Sequence, residues 1–292
     1  MLLDPVRRRN HLAAIASVGM AAVLLTAACS SDEAGTPAAS SAPSSAAPAA
    51  ASPAAVTTAP AAPASSAATS SAAASASPSA AAVVVEPIAG CVDEKQQAEE
   101  GVTLKRADGL EVPALVSGTG KRGIVLANMN GSDLCEWLVV GQGLKAKGFT
   151  VATFNYSPGG GDGDMVAAAT LLRERGATSV VLMGSSMGGT NALSAAAKLD
   201  PAPAAVVALS APGRFEGVDA LEAAKTLTVP VFLGVGEYDT EYFDSATALN
   251  KALRSKVKVL EVLPTGNHGT SLLDDTELAA KIDSFLDKHA GK

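Results

Sequence analysis

The segment 180–198 restricts the fold of this chain more than any other stretch. It begins with an apolar run, breaks at a serine flanked by glycines and continues as an alanine-rich segment, which predicts a strand, a sharp turn and a helix. The turn fits the pattern G-x-S-x-G, with Gly184, Ser186 and Gly188 at its defined positions. The glycines let two backbones pass closely around a strained serine, and the first helical turn offers N–H groups that can stabilise an oxyanion. We therefore predict that Ser186 is a nucleophile.

The first 28 residues have the features of a bacterial secretion signal. Arginines at 7–9 precede an apolar run at 12–25, which is short for a transmembrane helix, and small residues come directly before Cys29. This arrangement resembles a lipobox, in which the cysteine is acylated and becomes the first mature residue. We expect a signal peptide at 1–28, a palmitate-type lipid on Cys29 and anchoring at the extracytoplasmic face of the cell membrane. An ordinary cleaved signal with an incidental cysteine is the alternative, and both Sec and twin-arginine export stay open.

A segment of low complexity follows the predicted signal peptide. Every residue at 34–82 is Ala, Ser, Thr or Pro, apart from Gly35 and Val56, and none is charged. Such a segment cannot bury a core, and its prolines prevent the alanines from forming one long helix. We predict that residues 29–85 form a disordered tether that holds a domain at 86–292 away from the membrane.

Short apolar runs alternate with helical patterns after the tether. Residues 102–106 and 111–116, separated by Asp108 and Gly109, predict an N-terminal β-hairpin. Further strands are predicted at 123–127, 149–154, 180–183, 204–209, 229–235 and 257–262. One helix is predicted at 133–147 with Asp133 as its N-cap, and a second is predicted to begin at Asp162 or Asp164 as its N-cap and to end at 175. Further helices are predicted at 190–198, 218–227, 244–253 and 275–289. This alternation predicts an α/β fold with a mostly parallel, doubly wound sheet and helices on both faces.

Charge and motifs exclude several classes of function. The net charge is −7 and the basic residues are scattered, so nucleic-acid binding is not expected. The glycine-rich loop at 158–163 is not followed by Lys-Ser or Lys-Thr, which excludes a phosphate cradle and favours a mobile rim beside Ser186. The chain has no H-E-x-x-H motif and no histidine cluster, so we expect neither a metal nor an organic cofactor.

Three motifs together resemble the α/β-hydrolase family over about residues 102–290. They are the serine turn at 184–188, the sequence Gly-Glu-Tyr-Asp at 236–239 and Asn-His-Gly at 267–269. The small, lidless esterases of the family, including the dienelactone-hydrolase-like group, are nearest in appearance. Residues 210–228, where relatives can carry a cap domain, hold only a loop and one predicted helix, so no large cap is expected.

The resemblance implies the chain order nucleophile, acid, base, which Ser186, Asp239 and His268 satisfy. His268 follows a strand, whereas the other two histidines lie in the leader and near the C-terminus. Other carboxylates close to the acid position compete for its role, namely Glu237, Glu241 and Asp244.

The resemblance also implies an oxyanion hole formed by two backbone N–H groups. One belongs to Met187, directly after the nucleophile, and the other to Met129, with Asn130 as the runner-up. Relatives often have His-Gly at the start of this second loop, where this chain has Asn128 and Met129. A backbone donor does not depend on its side chain, so the departure does not exclude catalysis.

Cys91 and Cys135 form an even pair once Cys29 is assigned to the lipid. In an exported protein such a pair predicts a disulfide, and two free thiols are the alternative.

These features predict a serine hydrolase that cleaves a small-molecule carboxylic ester through an acyl-enzyme. Ser186 attacks the carbonyl, His268 transfers the proton and Asp239 orients the imidazole. We expect a monomer whose membrane contact is the N-terminal lipid. Acyl transfer or peptide cleavage by the same triad, and a non-catalytic surface-binding lipoprotein, are the alternatives.

Overall fold

The computed structural model describes residue 88 and residues 90–291. The predicted signal peptide, Cys29 and the predicted tether lie outside the described residues. The strands are β1 (Gly101–Lys105), β2 (Glu111–Ser117), β3 (Arg122–Ala127), β4 (Phe149–Phe154), β5 (Ser179–Ser185), β6 (Ala205–Leu209), β7 (Arg214–Phe215), β8 (Val218–Asp219), β9 (Val231–Gly236) and β10 (Lys258–Leu263). The α-helices are α1 (Glu94–Glu100), α2 (Leu138–Ala146), α3 (Gly161–Glu174), α4 (Met187–Lys198), α5 (Ala220–Ala224), α6 (Thr240–Ala252) and α7 (Thr276–His289), and 3₁₀ turns span Leu134–Trp137 and Gly269–Asp274.

Eight of these strands form one mixed sheet in the order β1-β2-β4-β3-β5-β6-β9-β10. The pairs β1 with β2 and β2 with β4 are antiparallel, and the remaining pairs are parallel. The predicted N-terminal hairpin is confirmed, with Thr103 opposite Pro113. The prediction of a mostly parallel sheet is confirmed as well.

Side chains of the central strands alternate between two hydrophobic cores. Val125 and Leu182 point into the core shared with α3, α4, α5 and α6, whereas their neighbours Ile124 and Val181 point into the core shared with α2 and α7. Both sets are buried because the sheet is covered on both faces, which explains the continuous apolar runs in the sequence. Since the central strands are parallel, their carboxyl ends meet at one edge, where open α/β sheets place their sites.

The segment after β6 differs from its prediction. Residues 218–227 were predicted to form a helix, but 218 and 219 belong to the small hairpin of β7 and β8, and α5 is only five residues long. Glu216 and Gly217 both have positive φ, 43° and 84°, which makes the tight turn of this hairpin. The Asp219 side chain then caps α5 by accepting a hydrogen bond from Glu222 N at 2.8 Å. No large cap follows β6 within residues 210–230, as predicted.

The start of α3 also differs, because the helix begins inside the glycine-rich loop. Gly160 is the N-cap, so Asp162 and Asp164 lie in the first turn and neither is the cap that was predicted. Asp164 is fully buried and accepts hydrogen bonds from Ser157 N at 2.7 Å and Arg106 Nη1 at 3.0 Å. The loop that was predicted to be a mobile rim is therefore tied to a buried ion pair.

The predicted helix at 133–147 is present but begins with a 3₁₀ turn, and Asp133 is its N-cap, accepting from Cys135 N at 2.8 Å. Helix α1 and the 3₁₀ turn after His268 were not predicted, and α6 begins four residues earlier than expected.

A disulfide joins Cys91 to Cys135 and so attaches the segment before α1 to the 3₁₀ turn that follows β3. Within residues 90–291, no helix is long and apolar enough to cross a membrane.

Candidate active site

Ser186 lies at the sharp turn between β5 and α4, where the sequence predicted it. Its backbone has φ 48° and ψ −118°, a conformation that a non-glycine residue adopts only at a cost of about 1–3 kcal/mol. The Ser186 N–H donates to the carbonyl oxygen of Leu209 on the neighbouring strand at 2.7 Å, which helps to hold the turn in place. The residue is 6% exposed. The turn thus presents the serine at the carboxyl edge of the sheet.

The two glycines of the serine motif are required by close backbone packing. A Cβ on Gly184 would overlap the carbonyl group of Gly188, and a Cβ on Gly188 would overlap the carbonyl group of Ala127 on β3. Backbone atoms of a central sheet and its first helical turn cannot move aside as a flexible side chain can. The G-x-S-x-G pattern is therefore explained by steric contact at both of its ends.

Asp239 and His268 form a hydrogen-bonded pair at the same edge. His268 Nδ1 lies 2.7 Å from Asp239 Oδ2, and the ring of Tyr242 packs edge-on against the imidazole at 4.2 Å between centroids. Asp239 is the N-cap residue of α6 but its side chain makes no capping bond, so the carboxylate is directed to the histidine. An Nδ1–H that donates to this carboxylate leaves Nε2 as the basic nitrogen. Among the described carboxylates, none of the competitors Glu237, Glu241 and Asp244 pairs with His268.

The histidine loop packs beside the serine turn. Gly269 N donates to Ser210 Oγ at 3.0 Å, and the α-carbon of Gly269 faces the side chain of Ser185, the residue before Ser186. Ser186 Oγ makes no hydrogen bond to His268 within residues 90–291. The structure thus brings Asp239 and His268 together and places the Ser186 turn next to the histidine loop.

The two predicted oxyanion donors differ in their surroundings. Met187 is the first residue of α4, where an N–H has no intrahelical partner and is available to a ligand. The Met129 N–H instead donates to Glu136 Oε2 at 2.9 Å, and the other oxygen of the same carboxylate accepts from Ser185 Oγ. The Glu136 carboxylate therefore links Met129 to Ser185, the residue before Ser186, and it occupies the Met129 N–H. Sequence reasoning did not single out Glu136, because no motif marks it.

Comparisons with known proteins bear on this arrangement. No protein-family model and no curated protein matches the sequence. Solved structures do match: an esterase domain from Rhodothermus marinus has 20% identity and a TM-score of 0.54 over 66% of this chain and 99% of that chain. An esterase of Pyrococcus furiosus has 14% identity and a TM-score of 0.60, with 68% and 98% covered. The dienelactone hydrolase of Anabaena variabilis has 20% identity and a TM-score of 0.53, with 62% and 94% covered.

The chain has the α/β-hydrolase fold. The resemblance inferred from three short motifs is thereby confirmed at the level of the fold, and the described domain accounts for nearly the whole length of each of these structures.

A small cavity lies beside the serine turn of this α/β-hydrolase fold. It has a volume of about 120 Å³ and reaches from Met187 to the glycine-rich loop before α3 and the hairpin of β7 and β8. Tyr156 and Asn191 line it, together with Phe215 and Val218. Sequence reasoning did not find this cavity, because its walls come from three separate segments.

One group of described residues has donor atoms close enough to surround a cation, namely Cys91, Asp133 and Cys135. The two sulfurs are bonded to each other, so neither is available as the thiolate that zinc requires. The two cysteines of this group instead form a covalent link between the segment before α1 and the 3₁₀ turn at Leu134–Trp137.

Proposed function

We propose that this protein is a serine hydrolase that cleaves carboxylic esters. The observation that carries the proposal is the strained Ser186 at the sheet edge beside a hydrogen-bonded Asp239 and His268 pair. A strained serine and an imidazole already oriented by a carboxylate are the parts that acyl transfer through a serine requires. Ester hydrolysis is also the activity named for the Rhodothermus and Pyrococcus structures that share the fold.

The reaction follows from these parts. Ser186 Oγ attacks the ester carbonyl carbon while its proton passes to His268 Nε2, and the carbonyl oxygen becomes an oxyanion that accepts from Met187 N–H. Collapse of this intermediate breaks the bond to the alcohol, which takes the proton from His268. Water then attacks the acyl-enzyme, gives a proton to His268 and releases the acid, and the proton returns to Ser186. Asp239 holds the imidazole in one tautomer and stabilises the imidazolium that forms twice.

Labelling with a fluorophosphonate probe tests this proposal directly. Wild-type protein should be labelled and should hydrolyse p-nitrophenyl butyrate, and Ser186→Ala should lose both, with a fall in rate on the order of 10⁴ to 10⁶. Ser185→Ala is the matched control, because it removes a neighbouring hydroxyl that donates to Glu136 and leaves Ser186 in place. Labelling of Ser186→Ala to the same extent as wild type would reject the proposal.

The same assay separates the hydrolase from the other activities that a triad supports. Adding alcohols and amines as competing acceptors to the ester assay detects acyl transfer, and a peptide panel detects peptidase activity. A protein that neither labels nor turns over any of these substrates would be a binding module on the same fold.

We also propose that the domain is exported and held to the cell membrane by a lipid on Cys29. The support is the signal-like sequence at 1–28 and the small residues before the cysteine. Radiolabelled palmitate should be incorporated by the wild type and not by Cys29→Ser, and equal incorporation by both would reject the anchor.

A further inference from the structure

Ser210 lies at the carboxyl edge of the sheet, one strand away from Ser186. Ser185 is opposite Leu209 in the pairing of β5 with β6, so Ser186 and Ser210 leave the two strands at the same level. Both have positive φ, 48° for Ser186 and 46° for Ser210. Non-glycine residues keep such a conformation only where their surroundings hold them in it, and these residues are concentrated at functional sites. The proposed reaction does not use Ser210, so its strained conformation points to another role.

Hydrogen bonds connect the end of β6 to both halves of the candidate site. The carbonyl oxygen of Leu209 accepts from Ser186 N–H at 2.7 Å. The next residue, Ser210, accepts from Gly269 N–H through its Oγ at 3.0 Å, and Gly269 directly follows His268. Two consecutive residues thus hold the serine turn on one side and the histidine loop on the other.

A serine at position 210 costs stability, and its hydroxyl offsets part of that cost. Glycine adopts positive φ without strain, whereas a residue with a Cβ does not. Ser210 is fully buried, and Gly269 N–H is the only hydrogen-bond partner of its hydroxyl within residues 90–291. The bond to the histidine loop is therefore what this serine provides and a glycine would not.

This bond complements the contact between His268 and Asp239. Asp239 Oδ2 lies 2.7 Å from His268 Nδ1 and so holds the imidazole end of the residue. The Gly269 N–H belongs to the peptide group that follows His268, so its bond to Ser210 holds the backbone from which the imidazole extends. The His268 side chain is 28% exposed, so packing does not enclose the ring completely. The position of Nε2 therefore depends on both hydrogen bonds.

The histidine loop is already in close contact with the serine turn. Gly269 has φ 59°, and a Cβ on it would lie 3.0 Å from Met129 Cε and 3.3 Å from Ser185 Cβ. These neighbours leave the loop little room to move closer to the turn. A loop released from Ser210 is therefore expected to shift away from Ser186.

We infer that Ser210 is a positioning residue whose hydroxyl holds the histidine loop so that His268 Nε2 reaches Ser186 Oγ during catalysis. This inference rests on the proposed esterase function and adds to it a residue that neither the triad nor the oxyanion hole includes. Ser210 acts through Gly269 and His268 and does not touch the substrate.

Two substitutions in the full chain test the inference with p-nitrophenyl butyrate as substrate. Ser210→Ala and Ser210→Gly both remove the hydroxyl. Each should lower kcat about 10- to 100-fold with KM within about twofold of wild type, because a misplacement of about 1 Å costs up to 10²-fold in rate. Alanine keeps the strained φ and glycine relieves it, so Ser210→Gly should have the higher thermal midpoint of the two. A low kcat in the more stable variant separates positioning from folding.

Ser255→Ala is the matched control. Ser255 is also buried, and its hydroxyl accepts from Val257 N–H at 3.1 Å just before β10, at the opposite edge of the sheet. The substitution removes an acceptor from a backbone N–H, as Ser210→Ala does. It should lower the thermal midpoint and leave kcat unchanged.

Three outcomes would overturn the inference. A kcat within about twofold of wild type for both Ser210 variants, in a reaction that Ser186→Ala abolishes, would reject the positioning role and leave the esterase function intact. The same fall in kcat for Ser255→Ala would reject it as well, because the loss would then follow from any missing buried hydrogen bond. Wild type that neither hydrolyses the ester nor is labelled by fluorophosphonate would overturn the esterase function and the positioning role together.

Discussion

Replacing Glu136 by glutamine should raise the rate of the proposed ester hydrolysis. In the wild type its carboxylate accepts the Met129 N–H at 2.9 Å and the Ser185 hydroxyl, so it occupies the hydrogen that the resemblance assigns to the oxyanion. Glutamine has the same shape and keeps one acceptor oxygen but carries no charge. A substrate oxygen then displaces the glutamine side chain from the Met129 N–H more easily than it displaces the carboxylate, and a developing oxyanion meets no charge repulsion from the glutamine.

The geometry sets the size of this effect. An oxyanion that shares the Met129 N–H lies about 5 Å or less from the carboxylate oxygen, because each acceptor sits about 2.9 Å from the nitrogen. Two unit charges at that distance repel by about 3 kcal/mol at an effective dielectric constant near 20. The oxyanion charge is only partly developed in the transition state, so we expect about 1.4 kcal/mol of this repulsion to act there. That corresponds to about a tenfold rise in kcat.

Steady-state kinetics with p-nitrophenyl butyrate measure the effect. We expect kcat to rise about tenfold with KM nearly unchanged, because the ground-state carbonyl is neutral and the charge appears only in the transition state. Glu261→Gln is the matched control and should leave kcat unchanged, since Glu261 lies on the edge strand β10 and its carboxylate pairs with Lys281 of α7. A tenfold fall in kcat for Glu136→Gln at an unchanged thermal midpoint would refute this reasoning, because it would mean that the Glu136 carboxylate increases the rate. An unchanged kcat would mean that the oxyanion does not use Met129, which leaves Asn130 as the second donor.

Three further predictions concern the acid, the turn and the disulfide. Asp239→Asn should lower kcat by about 10⁴ with a small effect on KM, and activity within tenfold of wild type would contradict its role. Gly188→Ala should lower the free energy of unfolding in urea by about 2–4 kcal/mol, because the new Cβ overlaps the Ala127 carbonyl, whereas Gly143→Ala on α2 has open space around it and should be neutral or stabilising. Removing the disulfide by replacing both Cys91 and Cys135 with serine should cost about 4 kcal/mol for a sequence separation of 44 residues, and two reactive thiols in denatured, unreduced wild type would show that the bond is absent.

Much of the fold could be predicted from the sequence because each part of the pattern is local. Continuous apolar runs such as 180–183 mark strands buried on both faces, and the alternation with helices predicts a parallel sheet. The turn at Gly184, Ser186 and Gly188 could also be predicted from the sequence, because close backbone contacts allow only glycine at its two ends. The predictions that were wrong depend on contacts outside their own segment. Asp164 joins the first turn of α3 because Arg106, far away in sequence, pairs with it, and residues 218 and 219 pair with β7 and so are not helical.

By itself the sequence determined the strand-turn-helix around Ser186 and the order of serine, aspartate and histidine along the chain, because both can be read from neighbouring residues. Only the tertiary structure decided which carboxylate pairs with His268, that Glu136 occupies the Met129 N–H, and that Tyr156 and Asn191 share one cavity. These groups come from different strands, loops and helices whose side chains meet only after the sheet has formed. A hydrogen bond over a few ångströms depends on that packing, and no pattern in the chain encodes it locally.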